Sequence, residues 1–143
     1  MIKLSAVVKE FSSFADLIKN IDEELNTLKQ QLADYLRRLE DIRAKSEQER
    51  RLRELLKNLT GEEQTSKGKV VDLKDVKLYV NPDAEQEATV MEEIIDRINK
   101  TIQSLQSIRK ALEPLSNVEV EAKIVVVYKE GVPSSIILKL SSM

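Results

Sequence analysis

A chain of 143 residues has room for one domain, or for one small domain and a stalk, and little for a second independent core. Charged residues make up 34% of it at a formal net charge of only -2, so no global field draws it to nucleic acid or to an acidic membrane. Cysteine, histidine and tryptophan are absent, which removes thiol and imidazole nucleophiles and the usual zinc ligands and leaves carboxylates, Lys, Tyr, Ser and Thr for any acid–base chemistry.

The first element is a helix carried by a heptad seam. Leu4, Val7, Phe11, Phe14, Ile18, Ile21, Leu25, Leu28, Leu32, Tyr35, Leu39 and Ile42 follow one another at alternating spacings of three and four without a miss. The residues between them are mostly charged or amide, as a solvated back face requires. A seam this long must be buried, and Phe11, Phe14, Ile18, Ile21, Leu25, Leu28, Leu32, Tyr35, Leu39 and Ile42 are the expected oligomer interface. Leu17 and Leu36 flank the seam and widen it beyond a two-stranded coil, which favours an antiparallel dimer or a four-helix arrangement. The heptad falters where Ser46, Glu49 and Arg53 take core positions, and apolar residues resume out of register at Leu52, Leu55, Leu56 and Leu59. Thr60-Gly61 closes the helix.

Glu62 to Lys69 reads as a polar loop, and Val70 to Val80 as one strand kinked near Lys74-Asp75. Asn81-Pro82 stops it. Asp83 with Gln86 forms a capping-box pattern opening a second helix, 84–113, whose apolar stripe from Met91 to Leu112 is wide enough for two neighbours, and Pro114 ends it. Val118 to Tyr128 alternates as a strand, and a hairpin loop at Glu130 to Ser134 returns through Ile136 to Leu140. Val125, Val127 and Ile137 make the opposite face of that hairpin apolar too, so a second cover is expected there.

These elements predict an α+β protein: a coiled-coil helix over 1–60, then a β-α-β-β head over 61–143 with a small three-stranded sheet, formed by Val70 to Val80 and the hairpin, packed against the second long helix. The acidic start of that helix (Glu92, Glu93, Asp96) and the basic end of the first (Arg43 to Lys57) predict antiparallel packing within the chain, with Asp22 near Arg109 where the overlap reaches that far. A helix of roughly 30 residues spans about 45 Å against about 85 Å for one of 57, so part of the seam is left for a second chain.

No constellation supplies convergent acid, base and donor groups, so no catalytic, cofactor or metal site is expected and the protein is read as not an enzyme. Arg43, Arg50, Arg51, Arg53 and Lys57 are candidate phosphate ligands, set against the plainer reading of a solvated helix end whose cations suit the macrodipole. Ser66-Lys67-Gly68-Lys69 lacks the Walker spacing and reads as a turn. Tyr35 reads as a packed residue with its hydroxyl at the rim, Glu49 and Arg53 as a pair able to fix register, and Glu119, Glu121 and Lys123 as a wet strand face. No stretch approaches the ~18 apolar residues of a membrane span. Met1 to Glu10 lacks a signal-peptide pattern, so a cytoplasmic protein is expected. The expected partners are a second copy of the chain, as a homodimer or higher oligomer, and another protein or filament, with no membrane among them; the alternative reading is a nucleic-acid-associated protein using the basic Arg43 to Lys57 face.

The order helix, strand segment, helix resembles that of prefoldin subunits, which implies a chaperone; the chain departs from that family in placing a hairpin after the second helix. The Lys/Glu/Arg-rich, cysteine-free composition resembles that of hyperthermophile proteins. At this size it is also similar in composition to the arcadins, small accessory proteins of archaeal actin-like filaments, which implies a structural or adaptor role at a cytoskeletal filament.

Overall fold

The computed structural model describes residues 7–61, 68–119 and 122–140. Its elements run β1 (Val8–Phe11), α1 (Phe14–Thr60), β2 (Lys69–Leu73), β3 (Val76–Val80), α2 (Ala84–Leu112), a 3-10 turn at Glu113–Leu115, β4 (Ala122–Lys129) and β5 (Val132–Leu140). The chain is α+β, with two long helices, a three-stranded antiparallel sheet and a separate two-stranded one. It divides into two compact units, Met1–Gln31 with Arg97–Met143 and Leu32–Asp96, and both helices contribute residues to each. Among the described residues no helix is long and apolar enough to cross a membrane.

Helix α1 begins at Phe14, ten residues later than the seam predicts. Ser13 sets the boundary: its Oγ accepts the Asp16 backbone N–H at 3.1 Å while its carbonyl accepts the Leu17 N–H at 3.2 Å, the geometry of an N-cap. Ser12 Oγ donates to the Asp16 carboxylate at 2.8 Å. Val8 to Phe11, ahead of that cap, are extended, so Phe11 lies on β1 and not in a helical seam, and Leu4 lies outside the described residues. Beyond Ile42 the helix continues unbroken through Ser46, Glu49 and Arg53 to Thr60.

In the first unit β1, β4 and β5 form the sheet in that order, all antiparallel. The third strand is therefore β1 and not the Val70 to Val80 segment, because β1 pairs Val8 with Val127 and Phe11 with Ile124. The loop joining β4 to β5 is shorter than Glu130 to Ser134: Glu130 (φ 53) and Gly131 (φ 78) alone make the turn, both left-handed as a type I′ hairpin demands. Side chains directly opposite one another share a face, so Phe11, Ile124, Leu138, Val126 and Ile136 lie on one side of the sheet. That side is the core side, with Ile124 and Val126 fully buried. Phe14, Leu17, Ile18, Ile21 and Leu25 of α1 and Ile98, Ile102, Leu105 and Leu112 of α2 supply the rest of the buried apolar side chains in this unit. A bidentate pair clamps the two helices here, Arg109 Nε to Asp22 Oδ1 at 2.5 Å and Nη2 to Oδ2 at 3.4 Å, as the charge pattern predicts.

In the second unit the segment read as a single kinked strand is a hairpin. β2 and β3 pair from Lys69 with Val80 to Leu73 with Val76, and Lys74-Asp75 is the two-residue turn between them. Neither turn residue has positive φ, so the turn does without the Gly or Asn that marks primed hairpins in a sequence. The capping box forms as predicted: Gln86 N–H donates to Asp83 Oδ1 at 2.8 Å and Asp83 N–H to Gln86 Oε1 at 3.1 Å. Gln86 Nε2 also donates to the Gly68 carbonyl at 2.9 Å, which ties the start of β2 to the start of α2. Gly68 is packed so closely there that a Cβ would overlap the Asn81 carbonyl and lie 2.7 Å from the Pro82 Cα. Leu39, Ala88 and Ile95 form a small core in this unit, with Leu32, Tyr35, Ile42 and Met91 packed on it.

Candidate interaction surfaces

Half of the expected interface seam is buried within the chain. Phe14, Ile18, Ile21, Leu25 and Leu39 are buried, and Phe11, Leu28, Leu32, Tyr35 and Ile42 are half-buried. Tyr35 joins the Leu39 cluster, with the Arg38 guanidinium 5.2 Å from its ring centroid. Helix α2 supplies the cover in the second unit, where Ala88, Met91 and Ile95 meet the seam and Arg43 reaches Glu92 at 3.0 Å. In that unit Leu39 alone of the seam is buried, while Leu32, Tyr35 and Ile42 stay half-buried against it.

The candidate phosphate ligands are engaged with neighbouring groups. Arg50 binds Glu47 at 2.6 Å and lies 3.9 Å from Glu54, Arg51 reaches Glu47 at 3.5 Å, and Arg43 is paired with Glu92. The hydrogen bond from Arg50 holds the Glu47 carboxyl below its ordinary range, so the partner stays ionised and the cation stays matched. Arg53 Nε donates to the Glu49 backbone carbonyl at 3.4 Å, one turn back on the same helix. Lys57 lies in the last turn of α1, where a cation suits the helix dipole. Acids thus pair with Arg43, Arg50 and Arg51 within what reads as a basic run, which weakens it as a track for a phosphate backbone.

Lys123 pairs with Glu10 across β4 and β1 at 3.2 Å, on the face away from the core; Glu119 is exposed and Glu121 lies outside the described residues. A shallow depression beside α2, lined by Gln103, Ser104, Ser107, Ile108 and Val132, holds no acid–base pair.

What stands out is apolar surface left open among the described residues. In β2–β3 the register places Lys69, Val71, Leu73, Val76, Leu78 and Val80 on one face, five apolar side chains out of six. Val76 is 63% exposed, and Leu73, Leu78 and Val80 are exposed as well. Leu52, Leu55 and Leu59, the apolar residues that resume after the heptad break, are exposed in the same unit. In the first unit Ile136, Ile137, Leu138 and Leu140 of β5 are exposed. Sequence reasoning missed the hairpin face because it read Val70 to Val80 as a single strand, on which these side chains do not fall on one side. The available signal was the pair of charged residues, Lys74 and Asp75, dividing two runs of alternating β-branched residues. No protein-family profile, curated protein or solved structure matches this chain.

Proposed function

We propose that this protein is a non-enzymatic, cytoplasmic structural protein that self-associates through the apolar face of the β2–β3 hairpin and, once assembled, acts as an adaptor tethering a partner complex or filament. The observation carrying this reading is the five-residue apolar face of that hairpin, left open among the described residues. A two-stranded hairpin is marginal in water, and an apolar face on it is retained at lower cost when a second sheet stacks on it, at about 10 Å. A second copy offers the matching face, with Lys69 at the end of the pattern and no charge within it. The test is sedimentation equilibrium of the full chain and of its Leu78→Asp variant. The wild type should exceed monomer mass and the variant should lose mass, since a carboxylate cannot be buried unpaired in such a contact. Equal masses for the two chains would overturn the reading.

A chaperone in the manner of prefoldin is the second reading, favoured by one observation: a β-hairpin, and not a single strand, joins the two long helices. On that reading the same face holds unfolded apolar segments. Wild-type protein would then suppress aggregation of a chemically denatured enzyme and Leu78→Asp would not, with no change of mass between them.

A further inference from the structure

The two edges of the three-stranded sheet differ in kind. β1 is four residues long and carries Lys9 and Glu10, a short charged edge of the sort that resists further pairing. β5 is nine residues long, and its outer edge hydrogen-bonds to no strand among the described residues. Its residues Ile136, Ile137, Leu138 and Leu140 are exposed, and Lys139 is the one charged side chain on it.

The core side of the sheet also runs one strand beyond its cover. Ile124 and Val126 of β4 are 1% and 0% exposed, whereas Leu138 and Ile136, directly opposite them on the same face, are 45% and 36% exposed. An element lying alongside β5 would extend that core side, and it must bring apolar side chains to the same face. At the other end of β5, Pro133 and the register shift at Val127/Tyr128 interrupt pairing, since proline has no N–H to give. The pairable edge is therefore Ser134 to Leu140, and Ile137 is its midpoint.

We propose that β5 pairs antiparallel with β5 of a second copy about a two-fold axis through Ile137, joining the two sheets into one of six strands. This register uses the whole pairable edge and sets Ile137 against Ile137, Ile136 against Leu138 and Ser134 against Leu140. Lys139 falls opposite Ser135, so the like charges are kept apart. A two-fold axis perpendicular to the sheet leaves both core sides facing the same way, so Ile136 and Leu138 of the two copies continue one apolar surface. The inference rests on the reading of the chain as self-associating, but it uses a strand edge in the other unit from the hairpin face. A chain with two separate self-pairing surfaces assembles beyond a dimer.

Because the chain has no cysteine, single cysteines report the register directly. Residues directly opposite in an antiparallel pair have Cα atoms about 4.5–5.5 Å apart, within disulfide reach. Under mild oxidation the Ile137→Cys variant should form covalent dimers in most chains. Ser135→Cys and Lys139→Cys should each give at least tenfold less alone, yet cross-link to each other when mixed. Ile137→Cys in a Leu78→Asp background should still cross-link, which separates this contact from the hairpin contact. Failure of Ile137→Cys to cross-link faster than Ser135→Cys, in either background, would overturn the proposal. So would mixed Ser135→Cys and Lys139→Cys chains that give no heterodimer.

Discussion

The sheets of the two units are built from similar residues and end in opposite conditions. In the first unit β4 lies between two strands, and its core side is buried with Leu17, Ile21 and Leu105 of the helices, each at most 2% exposed. In the second unit β2 and β3 pair only with each other among the described residues, and their apolar face is open while Leu39, Ala88 and Ile95 form a small buried cluster. The difference teaches where stability and contact reside. A central strand that is flanked and covered converts apolar side chains into folding free energy, whereas the same side chains on an isolated hairpin remain available to another surface.

Truncation is the sharpest way to break that comparison. Leu17→Ala removes a fully buried side chain and should cost about 2–5 kcal/mol in urea unfolding. Leu78→Ala, at a protein concentration below assembly, removes an exposed one and should stay within about 0.5 kcal/mol of wild type. Similar losses for the two would mean that the hairpin face is covered within the chain. The same contrast should appear in hydrogen exchange, with the amides of β4 exchanging only through global unfolding and those of β2 and β3 through local opening.

The second test addresses how the hairpin is held at all. Gly68 accepts the Gln86 amide while packed on Asn81 and Pro82, which links the hairpin to α2. Gly68→Ala places a methyl group where the Asn81 backbone already is, and backbone cannot swing aside as a long side chain does. A loss of about 1–3 kcal/mol is expected, with faster exchange at β2 and β3 and no change at β4. Unaltered exchange at β2 would show that the hairpin is anchored elsewhere.

These contrasts also explain what was legible beforehand. Both long helices, the α2 capping box at Asp83 and Gln86, and the antiparallel charge pairs Asp22–Arg109 and Arg43–Glu92 follow from periodicity and local chemistry; of the strand expected over Val118 to Tyr128, β4 forms from Ala122 onward and runs to Lys129, with Val118 and Glu119 outside it. The start of α1 was obscured because spacings of three and four that alternate along a helix also pass through a strand. Leu4, Val7 and Phe11 extend the series across Ser12-Ser13, and the cap outweighs the period. Leu17 and Leu36, which both flank the seam, part company: Leu17 is fully buried and Leu36 is exposed. The partner of β4 could not be read from order alone. β1 and β4 are more than a hundred residues apart in sequence, and a four-residue strand carries almost no pattern of its own. Of the candidate surfaces, the β5 residues were visible as an apolar run, but the hairpin face depended on a turn without Gly or Asn.

The smallest expected effect lies in the covered unit and is a gain. The Tyr128 hydroxyl is buried with no hydrogen-bond partner among the described residues, although its backbone N–H donates to the Val7 carbonyl at 2.7 Å and the Lys9 ammonium sits 5.2 Å from its ring centroid. A buried hydroxyl without a partner forfeits the hydrogen bonds it makes to water in the unfolded chain. Tyr128→Phe keeps the ring and the contact with Lys9 and should stabilise the protein by about 1 kcal/mol at neutral pH. Burial first, and the negative charge of Glu24 second, raise the Tyr128 pKa above its ordinary value near 10, so the folded chain holds the phenolic proton to higher pH than the unfolded one. This contribution to stability is complete below about pH 10 and is lost as pH rises through the folded value, because the unfolded state ionises first. Tyr128→Phe has no such loss, and the gap between variant and wild type should widen above about pH 10. A variant less stable than wild type at neutral pH would mean that the hydroxyl has a partner, and a gap that stays constant with pH would mean that it is solvated.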